Sequence, residues 1–298
     1  MNMKIPQPFP YQGSKRGIAS AILHFFPDSI DRLVEPFAGS AAISIAAASQ
    51  LQITSLWLND AHKPLMNLWQ EIIQHTESLT NKYQFHWNAQ LKDERDYFNK
   101  IRTRFNKLER PDDFLYLLAR CVKAAIRYNS KGEFNNTPDH RRKGAHPNEM
   151  RNRLYRTAAL LKNRTNLSML HYTKLLEQCE PSDIVYMDPP YQGVCQNRNQ
   201  RYCPSFDHEE FCHWIDLLNR KNIRFIISYD GRTGEKVYGE QLPLSLGLIK
   251  FEIAAGRSTQ ATLLGRNDET IESLYLSKNL IKDIRCSTAK SIPKLLFQ

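Results

Sequence analysis

"DIVYMDPPYQG", residues 183–193, sets an apolar run against an acid, two prolines and an aromatic ring. Residues 184–187 have the length and apolar content of a strand buried on both faces. Such a strand must stop at Asp188. The residue before a proline is pushed to extended geometry, and each proline fixes φ and lacks an N–H. The two prolines thus make a stiff turn just beyond a strand's carboxyl end. That is where open α/β sheets hold their ligands.

Working outward, residues 31–49, "DRLVEPFAGSAAISIAAAS", read as strand, tight loop and helix. "ITSLWLND" (53–60) is a second strand ending in an acid, and "KPLMNLWQEIIQHT" has helical periodicity. "FLYLLARCVKAAIRY" (114–128) is expected to be one helix and "RNRLYRTAALLKN" another. "NLSMLHY", "IRFIISYDG" and "IESLYLSK" read as further strands, with "EEFCHWIDLLNRKN" as a helix between. Strands alternating with helices predict a mostly parallel α/β sheet covered on both faces. The alternation lapses between the second and third strands. The expected organisation is a Rossmann-like catalytic domain over 1–65 and 155–298, carrying an inserted basic domain over 66–154.

The 298 residues are 41% hydrophobic and 24% charged, enough to bury a sizeable core. No signal-peptide run opens the chain, and no stretch nears the roughly 18 apolar residues of a membrane span. A cytoplasmic protein without a membrane partner is expected. Six scattered cysteines include no Cys-x-x-Cys pair, so reduced thiols are expected. Cys195, Cys203, Cys212 and His213 fit no standard zinc spacing, and no metal is expected. Net charge is +10. Residues 92–164 hold 19 lysines and arginines against 9 acids, so this stretch carries the whole surplus. A concentrated basic surface suits phosphates.

"EPFAGSAA" sits at a strand end, where Gly39 lets backbone approach a ligand. A dinucleotide loop would need G-x-G-x-x-G, and here there is one glycine. Asp60 comes 21 positions after Gly39, the spacing of an acid that accepts from ribose hydroxyls. The pair suggests a nucleoside cofactor lacking a pyrophosphate, and S-adenosylmethionine fits. The turn after residue 187 offers the Asp188 carboxylate and the Pro189 carbonyl as paired acceptors, stiffened by Pro190, with Tyr191 as a flat face. An exocyclic nucleobase amine presents two donors and a stackable ring. Accepting both protons favours a tetrahedral nitrogen with a free lone pair, able to attack a sulfonium methyl directly. In duplex DNA the base must first flip out, with Tyr191 as the stacking partner.

Together these stretches resemble the Dam-like, D12-class family of DNA adenine-N6 methyltransferases, from Pro8 to about Lys278. The resemblance implies cofactor contacts from Tyr11 and Lys15 in "PYQGSK", from Glu35, Phe37 and Gly39 in "EPFAGSA", and from Asp60, Tyr172 and Asp188. The family usually has a second glycine where this chain has Ala41, and an acid where His171 precedes Tyr172. "RYNSKGEFN" is similar to a hairpin that approaches DNA, which implies DNA roles for Arg127, Asn129, Lys131 and Asn135. Arg141, Arg142 and Lys143 would reach phosphates, positioning the duplex without reading sequence. Pro10 stands where several Dam members carry a basic residue, so their GATC site is not carried over. The implied activity is site-specific adenine-N6 methylation of double-stranded DNA, with a cognate restriction endonuclease as a candidate partner. Cytosine-N4 methylation, whose amine presents the same donors, stays open. So does a DNA-binding module without catalysis. A protein glutamine-N5 methyltransferase is opposed by Asp188, because that chemistry resembles an Asn-Pro-Pro-Tyr version of the motif.

Overall fold

The computed structural model describes residues 5–190, 206–234, 236–257 and 269–287. Tyr191, Cys195 and Cys203 lie outside these. The short helix α1 (Ala19–Leu23) precedes β1 (Ser29–Glu35), α2 (Ala42–Gln50) and β2 (Gln52–Asn59). Five helices come next: α3 (Lys63–Gln74), α4 (Thr76–Ala89), α5 (Glu94–Leu108), α6 (Pro111–Arg120) and α7 (Pro147–Leu161). Then come β3 (Thr165–Ser168), β4 (Asp183–Met187), α8 (His208–Arg220), β5 (Arg224–Thr233) and β6 (Lys236–Tyr238). The described chain closes with β7 (Ile249–Arg257), β8 (Glu269–Leu276) and α9 (Lys278–Ser287).

The sheet runs β3-β2-β1-β4-β5-β8-β7, with β6 on β5. β1 to β5 pair in parallel, whereas β6, β8 and β7 join antiparallel. Strand order reverses between β1 and β4, which opens a crevice beyond their carboxyl ends, at Glu35 and Asp188. Each of the five residues of β4 is buried, as the apolar run 184–187 requires of a strand near the sheet's centre. Two hydrophobic clusters cover the sheet. One contains Val34, Val185, Met187 and Ile227 with Phe211, Trp214 and Leu218 of α8. The other runs from Ile184 and Leu33 through α2 into the helices between β2 and β3, and includes Leu65, Trp69, Phe105, Phe114 and Leu154.

Three sequence expectations change. The helix expected over 114–128 stops at Arg120. The buried Arg120 guanidinium bonds Glu94 at 3.0 Å, and Asp139 N–H donates to the Arg120 carbonyl at 2.7 Å, drawing the chain into extended pairing. Lys123 and Ala124 then take φ of 59° and 50°, a left-handed turn rare for side chains with a Cβ. β3 ends at Ser168, before the expected Tyr172. Trp57 Nε1–H donates to Ser168 Oγ at 2.8 Å, and the buried Asn59 amide bonds the backbone of Pro36 and Leu170 instead of letting the ladder continue. β7, an antiparallel strand at the sheet edge, was not expected from its pattern.

Candidate active site

Beyond β1 and β4 lies a cleft of about 270 Å³. Its first wall is the loop after β1. Gly39 has φ +48°, and a Cβ there would come within 3.2 Å of the Tyr11 ring. A side chain there would be strained by the positive φ and would crowd the Tyr11 ring. The Gly39 N–H donates to Asp60 Oδ2 at 3.0 Å and its carbonyl accepts from Trp69 Nε1 at 3.0 Å. Asp60 Oδ1 also accepts from His62 N–H at 2.9 Å. The acid ending β2 thus braces the loop after β1 while lining the cleft. Burial raises the Asp60 carboxyl to about 6 against those two backbone donors.

Glu35 is fully inside. Its Oε1 accepts the Ser44 N–H at 2.6 Å, in the first turn of α2. Desolvation lifts it to about 8, so it is largely protonated at neutral pH. Ala41, where the family pattern has glycine, caps α2 at φ 47° and is buried.

The second wall is the end of β4. Asp188, Pro189 and Pro190 line the cleft. Asp188 Oδ1 lies 3.2 Å from Lys15 Nζ, and Glu272 Oε2 on β8 lies 3.2 Å from the same ammonium. Lys15 is therefore buried between two carboxylates. Burial raises Asp188 to about 6, opposed by the Lys15 charge. Glu272, 257 positions from Lys15, was not among the expected site residues. Asn59 was also missed.

The third wall is aromatic. Phe37 and Tyr172 lie 5.1 Å apart and Phe37 and Phe206 6.2 Å apart by ring centroids. Tyr172 O–H donates to Glu210 at 2.8 Å, so an acid from α8 borders this wall, as does His171. His171 is exposed and pairs with Thr173 Oγ1 at 2.8 Å.

The chain that leads to the expected DNA residues borders this cleft. Ala124 and Ile126 line it, and the Ala124 carbonyl accepts from Gln12 N–H at 3.1 Å. The hairpin beyond pairs Tyr128 with Phe134. Asn129 Oδ1 accepts from Lys131 N–H and Glu133 N–H, so its side chain shapes the turn. Lys131 and Asn135 are exposed. The Arg127 N–H donates to Asn136 Oδ1 at 3.0 Å. Arg141, Arg142 and Lys143 are exposed, but Lys143 lies 3.3 Å from Glu94 and Arg142 3.8 Å from Asp139. Among the described residues, the one group of potential metal ligands is His86, Asp112 and Asp113. Its carboxylates are already paired with Arg104 and Arg110. No described helix is long and apolar enough to cross a membrane.

A family model described as D12 class N6 adenine-specific DNA methyltransferase matches residues 11–282. The chain is 24% identical to Type II methyltransferase M1.LlaDCHI of Lactococcus lactis subsp. cremoris, over 89% of this chain and 94% of that one. It is 30% identical to Retron Ec67 DNA adenine methylase of Escherichia coli, over 62% of this chain and 63% of that one. It is 24% identical to Type II methyltransferase M.FokI of Planomicrobium okeanokoites, over 76% of this chain but 36% of that longer one.

Proposed function

The chain belongs to the D12 class of N6 adenine-specific DNA methyltransferases, and from that premise we propose that S-adenosylmethionine is its methyl donor and that Asp188 and Pro189 grip the target adenine. The cleft's chemistry fits that donor. Its one-glycine loop has no cradle for a pyrophosphate, Asp60 offers carboxylate oxygens for ribose hydroxyls, and the aromatic wall of Phe37, Tyr172 and Phe206 suits a purine. Glu210, beside that wall, takes the part of the acid that His171 displaces. Tyr11 and Lys15 close the cleft opposite Gly39, and Glu35 holds the start of α2 against it. When bound, S-adenosylmethionine supplies an electrophilic methyl group on a sulfonium.

The chain's own residues do the rest. The Asp188 carboxylate and the Pro189 carbonyl accept the two N6 protons of a flipped adenine, and this frees the nitrogen lone pair. The surplus proton after transfer goes to Asp188, whose raised affinity suits a transient acceptor. Pro190 stiffens the turn and Tyr191 stacks on the extruded base. Residues 66–154 act as the target-recognition insertion within a catalytic unit of 1–65 and 155–298. In it, Arg127, Asn129, Lys131 and Asn135 build and present the hairpin, and Arg141, Arg142 and Lys143 hold phosphates. The Type II names of relatives support a cognate restriction endonuclease as partner.

The observation that carries this reading is the Asp188 carboxylate at the end of β4, 3.2 Å from Lys15 and lining one cleft with the Gly39 loop at the sheet's switch point. Incubation with labelled S-adenosylmethionine and plasmid DNA should yield N6-methyladenine. Label in N4-methylcytosine, or DNA binding without incorporation, would overturn it. Asp188→Ala should cut turnover by at least about 10³-fold, with cofactor binding partly retained.

A further inference from the structure

Lys15 reaches Asp188 from a one-turn 3-10 helix, Lys15–Gly17, near the chain's start. The far side of its ammonium is held by Glu272, on a strand near the described end. The local ladder is built to bring that carboxylate in. β5 and β8 shift register between Tyr229 and Gly231, the residue paired with Glu272. A Cβ at Gly231 would meet the Ile271 carbonyl at 2.6 Å, so only glycine allows this approach. Such bulges re-aim the side chains beside them. Asp230 in the bulge has φ 43° and is secured by Lys250 Nζ and Tyr275 O–H, each at 3.1 Å. The Ser228 hydroxyl lies 3.5 Å from Glu272 Oε2.

A lone Lys15–Asp188 pair would draw the carboxylate's electron density toward the ammonium, and the oxygens would then be weaker acceptors for an amine. Two carboxylates sharing one cation avoid that. We propose that Glu272 is a positioning residue for methyl transfer: it holds the Lys15 ammonium from the far side, so that the Asp188 carboxylate is left free to accept the target N6–H. Among the described residues, four groups face the Asp188 carboxylate: Lys15, Glu272 from β8, Glu35 from the end of β1 and the Tyr186 phenol from β4. Lys15 favours the charged form of Asp188. Glu272, a like charge, disfavours it.

The inference rests on Asp188 being the acceptor, and the test separates the two. Glu272→Gln removes the charge and keeps the shape. We expect kcat to fall about tenfold or more, with KM for DNA and S-adenosylmethionine within about twofold. The acid limb of the pH–rate profile should move to lower pH, because a like charge beside Asp188 is gone. Lys15→Met should move it to higher pH. An independent readout needs neither cofactor nor DNA. In protein carrying 13C-carboxyl aspartate, with Asp188→Asn assigning the resonance, the Asp188 titration midpoint should move in these same two directions. Glu272→Asp keeps the charge and withdraws it by one methylene. It should give an intermediate rate and a midpoint close to wild type, and it serves if Glu272→Gln does not fold. Wild-type turnover and midpoint in Glu272→Gln, or wild-type turnover in Glu272→Asp, overturns the proposal. Near-normal turnover in Asp188→Ala would instead sink the reading of Asp188 itself.

Discussion

Glu35 carries the largest consequence for pH at the level of a single residue. Its carboxyl has no salt-bridge partner among the described residues, and its Oε1 accepts the Ser44 N–H. Burial raises it from 4.5 to about 8. The folded state therefore binds a proton more tightly than the unfolded chain. Linkage sets the sign: this stabilisation is fully present below about pH 4.5 and is lost as pH rises through 8. Glu35→Gln keeps an oxygen for Ser44 and removes the titration. Urea unfolding of that variant should show a flatter pH dependence between 5 and 8 and higher stability than wild type at pH 8. An unchanged pH slope would mean that Glu35 is charged in the folded protein. Asp60 differs, because its two oxygens accept from Gly39 and His62 backbone N–H groups, which hold it nearer the ordinary range.

Among the elements, the segment from Arg127 to Lys143 carries the cations that we propose meet DNA. Its cations are unequal. Arg141 has no ion pair among the described residues, Arg142 stands 3.8 Å from Asp139 at the exposed surface, and Lys143 is engaged by Glu94. Replacing Arg141 and Arg142 together with alanine should weaken binding to all DNA sequences alike and reduce the slope of log K against log salt by about 1.8. Lys143→Ala should change it less. Loss of affinity for one sequence only would mean that these arginines read bases. Legibility at this scale depended on range. The strand before Asp188, the strand before Asp60 and the loop at Gly39 announce themselves through composition and neighbours. The end of α6 does not, because Arg120, its last residue, is tied to Glu94 and Asp139, which lie 26 and 19 residues away. Glu272 was illegible for the same reason. Nothing within β8 marks it, and its meaning comes from Lys15 and a register shift against β5. The edge strand β7 lacked a signal because it carries Ala254, Ala255 and Gly256 where strong strand formers would be expected.

For the whole molecule, the helices between β2 and β3 and the sheet share one hydrophobic cluster, running from Ile184 and Leu33 to Phe105 and Phe134. Trp69 belongs to that cluster and also holds the Gly39 carbonyl. Denaturation should therefore be a single transition, with tryptophan fluorescence and far-ultraviolet circular dichroism coinciding. Separate midpoints would show that the insertion melts alone. The match over residues 11–282 decides for adenine over cytosine as the target base. Sequence chemistry could not make that choice, because both amines offer the same two donors. The wide separation of Lys15 from Asp188 and Glu272 along the chain has a practical outcome. Severing the backbone at the exposed turn between Leu91 and Lys92 would leave the cation on one fragment and both anions on the other. Neither piece alone would then assemble the cation between its two carboxylates, so DNA methylation would report that two fused proteins had met.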